Sequence, residues 1–343
     1  MKHIQTRLHT IGDEQPCYVI AEIGSNHNGI FDMACELVER AAEAGVNAVK
    51  FQTFAASAHY SRKTPSISMY QENVYDLIER LEIDRTWHAR LAKVCAASSV
   101  DFLDSPCDPE AVELAVSVGM PLLKVASFDM VDHRLIGLMA RTGKCVMFSA
   151  GMANLCEIEY AVNVCRHYGN DKIIILQCTS LYPAPAHLSN LRTIQTLRTT
   201  FNCLTGYSDH TIGDHIPCAA VALGARVIEK HFTLDKGLPG PDHNFAIEPG
   251  ELRTMVDKIR NIEAALGDGV KNGPREEEME MYRKARRSII AASEIRAGDV
   301  IRGEDVVIKR PGIGIHPKYL DLVIGRTARR NIEFDAPLTW EDL

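Results

Sequence analysis

Short apolar runs recur along the first three-quarters of the chain, and stretches with helical periodicity lie between them. Eight of these runs are rich in β-branched and aromatic residues and are bounded by turn residues, which predicts strands. Apolar and polar positions hardly alternate within them, as expected for a parallel sheet covered by helices. The predicted strands are 18–23, 47–52, 100–105, 122–126, 145–149, 172–178, 203–207 and 225–231.

Helical periodicity and capping signals predict a helix after each strand. Gly45 closes a helix that begins at Phe31, and Asp108-Pro109-Glu110 supplies an N-cap, a first-turn proline and a first-turn acid. Eight strands alternating with helices predict an α/β fold, a (β/α)8 TIM barrel over residues 1–266, with a doubly wound open sheet as the alternative. The predicted helices are 31–44, 85–97, 108–119, 133–141, 157–168, 188–199, 216–223 and 249–266.

Three segments depart from this alternation. Residues 54–84 are too long for an ordinary strand-to-helix loop, which predicts an excursion near an active site. Residues 267–287 are polar and charged, and we interpret them as a partly helical linker. Residues 288–343 combine short apolar runs with Gly and Asp turns, which predicts a small all-β domain.

Composition restricts the class of protein. The net charge of -7 argues against nucleic acid as the main ligand, because no overall positive field would hold its phosphates. Ten cysteines without a CxxC pair predict buried free thiols in a reducing compartment. No apolar run reaches membrane-spanning length and the N-terminus lacks the apolar core of a signal peptide, so we expect a cytoplasmic protein without a membrane partner.

Polar residues follow nearly every predicted strand at the point where its apolar run ends. Barrel enzymes place their chemistry at the carboxyl ends of the strands, so these residues predict one active site. Lys50 and Lys124 lie inside apolar strands, where a buried cation requires an anionic ligand or a carboxylate partner. A ring of hydroxyls suits a phosphorylated acid, whereas Lys–Glu pairing with Glu22 and Glu229 is the alternative. The hydroxyls are Ser105, Ser127, Ser149, Ser180 and Ser208.

Other candidates extend this site. His210 and His231 end consecutive strands, so both imidazoles could hold one divalent cation, or they could only donate hydrogen bonds. Glu22 and Glu229 are candidates for acid–base work. Asp242 lies on a Gly/Pro loop and could bind sugar hydroxyls or only shape the turn. Arg310 belongs to the small domain, where an exposed arginine is the simpler interpretation.

The sequence resembles the sialic acid synthase family, which makes N-acetylneuraminic, legionaminic and pseudaminic acids. Its motifs occur in family order and cover almost the whole chain, and residues 288–343 resemble the family's antifreeze-like SAF domain. The resemblance implies a domain-swapped homodimer in which this domain caps the partner's barrel. The motifs are AEIGSNHNG (21–29), AVKFQTF (48–54), LKVASFD (123–129), FSAGM (148–152), QCTSLYPAP (177–185), GYSDHTIG (206–213), VIEKHFTLDK (227–236), GPDH (240–243) and KRPGIGI (309–315).

The resemblance also implies roles for single residues. Glu22 and Glu229 would act as acid–base groups, and His210 and His231 would bind Mn2+ or Mg2+. Arg310 would reach the sugar from the neighbouring subunit. Phosphoenolpyruvate would contact Lys50, Ser105, Lys124, Ser127, Ser149, Ser180 and Ser208, and the sugar would contact Gln52, Tyr182, Asp242 and Arg310.

The implied reaction condenses phosphoenolpyruvate with the open-chain aldehyde of an N-acetylated amino sugar, breaks the C–O bond and releases phosphate. We expect N-acetylmannosamine as acceptor and an N-acetylneuraminate synthase. The alternative is a pseudaminic or legionaminic acid synthase that uses a diacetamido-trideoxyhexose. Two other classes stay open: a phosphoenolpyruvate-using aldol synthase of the shikimate type, marked by a thiol metal ligand that the sequence does not reveal, and a catalytically inactive sugar- or ice-binding protein.

Overall fold

The computed structural model describes residues 3–65, 67 and 72–343, so part of the predicted excursion at 54–84 lies outside the described residues. The chain divides into two compact units, Met1–Gly267 and Asp268–Leu343. No helix in the described part of the chain combines the length and apolarity that crossing a membrane requires.

The first unit is a closed barrel of eight parallel strands, which confirms the predicted fold and excludes the open sheet. The eighth strand pairs with both the seventh and the first, with His231 opposite Glu22 and Lys230 opposite Asp209. The barrel strands are Tyr18–Gly24, Ala48–Thr53, Asp101–Pro106, Leu122–Val125, Cys145–Ser149, Ile173–Cys178, Leu204–Asp209 and Val227–His231.

Helices surround this barrel where the sequence places them. Pro249–Leu266 and His133–Arg141 match the predicted bounds, while the helix expected at 188–199 starts later, at Thr193, and ends at Phe201 because Asn202 adopts a left-handed conformation. The described residues of the predicted excursion include two helices. The helices of this unit are Phe31–Glu43, Ala56–His59, Val74–Leu81, His88–Ala97, Pro109–Ser117, His133–Arg141, Leu155–His167, Thr193–Phe201, His215–Ala222 and Pro249–Leu266.

The barrel interior is apolar at its base and polar at its top. Successive interior positions on a strand are two residues apart, because side chains alternate between the two faces. The second strand thus places Ala48 in the lower core and Lys50 and Gln52 above it. A hairpin that the sequence analysis missed, His3–Gln5 with Thr10–Gly12, contributes Ile4 and Ile11 to the same lower core.

The second unit has less regular strand structure than predicted. Ser288–Ala291 pairs antiparallel with Val306–Lys309, and the other predicted strands form only isolated bridges within the described residues. Glycine-rich turns interrupt the apolar runs, so ladders stay short. Met279–Ala285 and Leu320–Val323 are helical. The second unit has its own hydrophobic core, which contains Ile289, Ile301, Ile315, Val323 and Leu338.

Candidate functional site

Lys50 and Glu22 form a buried ion pair at the top of the barrel. Lys50 Nζ lies 2.6 Å from Glu22 Oε2 and donates to Ser105 Oγ at 3.0 Å. Gln52 Nε2 donates to Glu22 Oε1 at 2.6 Å. Lys50 therefore forms the Lys–Glu pair that the sequence analysis left as an alternative. Because Glu22 balances the charge of Lys50, the buried ammonium group does not by itself require a bound anion.

Lys124 is less well compensated than Lys50. Its Nζ donates to the Val125 carbonyl at 3.0 Å, and the nearest carboxylate oxygen, on Glu229, lies 3.9 Å away. Burial lowers the pKa of Lys124 despite the attraction of Glu229. An anion near this ammonium would raise its pKa and favour the charged form. An acidic ligand would therefore stabilise charged Lys124 more than charged Lys50, which already has a close carboxylate.

The two carboxylates titrate in opposite directions. Burial raises the pKa of Glu22 to about 7, outweighing the attraction of Lys50. Burial also acts on Glu229, but Lys124, Lys50 and a hydrogen bond from Ser208 Oγ at 3.1 Å lower its pKa overall. Neighbouring carboxylates with divergent pKa values are the arrangement in which one carries a proton and the other stays ionised.

A cradle of hydroxyls lies beside the lysines. The buried Oγ atoms of Ser149 and Ser180 have no hydrogen-bond partner among the described residues, and Ser127 Oγ accepts from the Gly151 N–H at 3.1 Å. A Cβ on residue 151 would lie 2.3 Å from Ser180 Oγ and 2.8 Å from Ser127 Oγ, so the glycine keeps this space open. Unsatisfied buried hydroxyls call for a polar ligand, and their donors suit phosphate or carboxylate oxygens.

The two histidines meet at the carboxyl ends of the last two strands. Their ring centroids are 5.3 Å apart. His210 Nδ1 lies 2.8 Å from the Thr179 carbonyl, a contact that assigns it the proton and leaves Nε2 free as a ligand. His231 Nδ1 is buried without a hydrogen bond, with Asp242 Oδ2 3.7 Å away. The imidazole of His231 next to a carboxylate, with the imidazole of His210 nearby, is a donor set that a divalent cation can use, so the predicted metal site stays a prediction.

Aromatic rings and carboxylates form the outer part of the site. Tyr182 packs against His210 with 4.1 Å between ring centroids and the rings tilted by 36°, and Phe245 packs against His231 at 5.1 Å. Burial raises the pKa of Asp242 to about 6. Gln52, Tyr182 and Asp242, the predicted sugar contacts, line one cavity, so the barrel brings them together.

Arg310 is the predicted site residue that belongs to the second unit. It follows the strand Val306–Lys309, and its Nε donates to the Ala285 carbonyl at 2.5 Å. Its side chain is exposed, which agrees with the simpler interpretation. A role at a neighbouring subunit stays a prediction.

Sequence reasoning missed two features of the site. Cys178 Sγ lies 3.8 Å from His210 Nδ1, so a thiol does stand beside a predicted metal ligand, contrary to expectation. The alternation along its strand, which places Leu176 inside the barrel, could have revealed it. Behind the histidines, Lys230 Nζ pairs with Asp209 Oδ2 at 2.7 Å and ties the last two strands together.

Comparisons with known proteins identify the family of the chain. The model of the NeuB family matches residues 37–271, and that of the SAF domain matches residues 286–343. The chain belongs to the NeuB family. Within the family it is 38% identical to the N,N'-diacetyllegionaminic acid synthase of Campylobacter jejuni, over 92% of this chain and 97% of that protein.

Two further NeuB relatives carry other names. The chain is 33% identical to the pseudaminic acid synthase of Helicobacter pylori, over 96% of this chain and 98% of that protein. It is also similar in structure to an N-acetylneuraminic acid synthetase of Leptospira borgpetersenii, with a TM-score of 0.73, 33% identity, and coverage of 81% of this chain and 94% of that chain. The family is thus one of sialic, legionaminic and pseudaminic acid synthases, and its names do not agree on one sugar.

Proposed function

We propose that the chain condenses phosphoenolpyruvate with an unphosphorylated N-acetylated amino sugar and releases phosphate. The observation that carries the proposal is the pair of orphaned hydroxyls, Ser149 and Ser180, beside the undercompensated Lys124. This group of hydroxyls lies inside a closed barrel. Its hydroxyl donors and the ammonium group of Lys124 suit the phosphate and carboxylate oxygens of a small phosphorylated acid. Lys50, Ser105, Ser127 and Ser208 complete the proposed binding site.

In the proposed reaction, C3 of phosphoenolpyruvate attacks the aldehyde carbon, water adds at C2 and phosphate leaves by C–O cleavage. His210 and His231 would hold a divalent cation, Mn2+ or Mg2+, that polarises the aldehyde oxygen. Glu229, which stays ionised, stabilises positive charge at C2. Glu22, with a pKa of about 7, is present in both its protonated and its ionised form near neutral pH, so it would exchange a proton with the reacting oxygen atoms.

The cavity supports an acceptor without phosphate. Its two lobes share Tyr182 and Asp242. Among the described lining residues, Arg80 is the sole arginine or lysine, and it donates to Glu72 Oε1 at 2.7 Å. A second phosphate would therefore find no uncommitted cation there. We keep N-acetylmannosamine as the expected acceptor, which makes the chain an N-acetylneuraminate synthase.

A diacetamido-trideoxyhexose is the second candidate acceptor. Such a sugar has a methyl group where N-acetylmannosamine has a hydroxymethyl group, and a second acetamido group in place of a hydroxyl. Both methyl-bearing groups gain from apolar contacts. The cavity offers such contacts through five side chains, and the 38% identity to a legionaminic acid synthase favours the same sugar class. The large apolar side chains among the described lining residues are Phe54, Leu77, Ile78, Leu81 and Phe128.

Phosphate release from phosphoenolpyruvate tests the proposal. The purified full chain, supplied with Mn2+ or Mg2+, is assayed with N-acetylmannosamine, its 6-phosphate and the two diacetamido-trideoxyhexoses. We expect release with an unphosphorylated sugar and none with the 6-phosphate. Release with no acceptor in the panel would refute the synthase, and release with the 6-phosphate alone would refute the acceptor class.

We also propose a cytoplasmic, domain-swapped homodimer in which Arg310 serves the partner's barrel. Mixing two inactive variants, Lys124→Met and Arg310→Ala, tests this arrangement. In a swapped mixed dimer one site joins an intact barrel to an intact Arg310, so activity returns on mixing. If each chain completes its own site, mixing restores nothing, and the swap is refuted.

A further inference from the structure

A second group of metal-ligating side chains lies in the same barrel and lines the cavity that His231 also lines, but it follows other strands than the predicted metal ligands do. His59, Cys107 and Asp129 follow the second, third and fourth strands, and their ligand atoms all lie within 4.8 Å of one another. His59 Nε2 is 3.5 Å from Asp129 Oδ1, and Cys107 Sγ is 3.8 Å from Asp129 Oδ2. Three successive loops therefore converge on one point.

The two short distances reach different oxygens of Asp129, and one ligand atom from each residue lies within 4.8 Å of the others. Typical zinc–nitrogen and zinc–sulfur bonds place neighbouring ligand atoms roughly 3.3–3.5 Å apart, so small side-chain movements would complete the geometry. A thiolate, an imidazole and a carboxylate favour Zn2+ over the hard cations Mg2+ and Ca2+. Cys107 and Asp129 also line the cavity, which leaves room for a fourth ligand.

The backbone holds each of the three residues in place. The Cys107 N–H donates to the Thr53 carbonyl at 3.0 Å, the His59 N–H to the Ala55 carbonyl at 2.9 Å, and the Asp129 N–H to the Ala126 carbonyl at 3.0 Å. All three side chains are partly buried. Positions fixed by main-chain hydrogen bonds lower the entropy cost of gathering ligands around an ion.

We propose that His59, Cys107 and Asp129 form a second cation site, which takes one thiophilic divalent cation such as Zn2+. On binding, the Cys107 thiol gives its proton to the solvent and the thiolate bonds to the cation. Gln52 and Asp242 line the same cavity, so the bound cation obstructs the acceptor sugar; this consequence, unlike the site itself, rests on the proposed function.

Cobalt provides a direct readout, because a thiolate ligand gives Co2+ a sulfur-to-metal absorption band in the near ultraviolet. We expect this band when Co2+ is added to the metal-free full chain, and its loss in Cys107→Ala. Cys178→Ala removes the thiol beside His210, and Cys156→Ala removes an exposed thiol. Both controls should keep the band, and Zn2+ bound per chain should fall by one in Cys107→Ala alone.

Asp129→Asn provides a second variant should Cys107→Ala fail to fold, and we expect it to weaken Zn2+ binding about tenfold or more. A wild-type chain without the band, or a band that survives Cys107→Ala, overturns the proposal, as does unchanged Zn2+ affinity in Asp129→Asn. Absence of phosphate release would refute the synthase while leaving the cobalt band untouched, so the two failures are distinguishable.

Discussion

The two ends of the barrel use the same eight strands for different purposes. At the base, Ile11 and Leu122 are fully buried and apolar, and the Tyr18 hydroxyl donates a hydrogen bond to the buried Asp101 carboxylate at 2.8 Å. At the top, the next interior positions carry Lys50, Lys124 and other charged or polar groups that are equally buried. Burial of apolar side chains at the base stabilises the fold. Burial of ionisable groups at the top costs free energy, because these groups lose their hydration.

The titration behaviour of the upper groups shows this cost. Burial raises the pKa of Glu22 and lowers the pKa of Lys124, and both shifts favour the neutral form of the group. They occur although carboxylates and ammonium groups lie side by side. Lys230 and Asp209, which face away from the cavity, form a close pair at 2.7 Å instead. The charges of the upper groups are thus only partly neutralised by their neighbours, whereas Lys230 and Asp209 neutralise each other. Partly neutralised charges are expected in a site that binds charged reactants.

Among the substitutions at the upper end of the barrel, Lys124→Met should have the largest effect on activity. Turnover of phosphoenolpyruvate, measured as kcat/KM, should fall about a hundredfold or more, because the anion loses its undercompensated cation. The midpoint of thermal unfolding should change little, since methionine keeps the volume and removes a buried cation, while Glu229 loses one counter-charge and keeps Lys50 at 3.9 Å. Exposed Lys258→Met is the matched control. Full activity in Lys124→Met would separate Lys124 from the chemistry.

The lower end should respond in the opposite way. Ile11→Ala removes a fully buried side chain from the base, which should lower the free energy of unfolding by about 2–4 kcal/mol. Denaturant titration measures the loss, and kcat/KM should be unchanged because Ile11 lies at the far end of the barrel. Val116→Ala, at an exposed position, controls for loss of apolar volume. A large loss of activity in the folded Ile11→Ala chain would contradict the division between the two ends.

Gly151→Ala sharpens the description of the hydroxyl cradle. The added methyl would meet the hydroxyl groups of Ser180 and Ser127, so affinity for phosphoenolpyruvate should fall about tenfold. Titration calorimetry measures that affinity without an acceptor. Gly250→Ala has open space around its Cβ and serves as the control. Equal affinity in the two variants would mean that the ligand does not use the cradle.

Glu22→Gln tests the smallest effect, on the pH dependence of stability. The folded-state pKa of about 7 lies above the ordinary value of 4.5, so folded Glu22 keeps its proton while the unfolded chain loses it. The wild-type free energy of unfolding should therefore fall, relative to Glu22→Gln, as pH rises from 4.5 to about 7 and level off above it. Exposed Glu43→Gln should show no such trend. Parallel curves for wild type and Glu22→Gln would contradict the raised pKa.

Much of the fold could be predicted because each barrel strand is a distinct apolar run closed by turn residues. The strand Cys145–Ser149 and the helix Pro249–Leu266 fall at the predicted bounds. The hairpin at the base could not be predicted, since strands of three residues carry too little periodicity. The SAF unit was predicted with too many strands, because its apolar runs bend at turns before ladders can form.

The site was predictable as far as strand order allows. Residues at the ends of neighbouring strands converge by geometry, which is why Lys50, Lys124, His210 and His231 could be assigned to one barrel end. Pairing could not be predicted, because the choice between an ion pair and a bound anion at Lys50 depends on distances of a few ångströms. The site at His59 was missed for the same reason, since its ligands meet through three loops rather than through strand register.

A crystal structure of the chain saturated with phosphoenolpyruvate is the most direct measurement. The account predicts the ligand inside the top of the barrel, with its acidic groups in contact with the ammonium groups of Lys50 and Lys124 and with the hydroxyls of Ser149 and Ser180. Phosphoenolpyruvate bound elsewhere, with these hydroxyls still lacking a ligand contact, would contradict it.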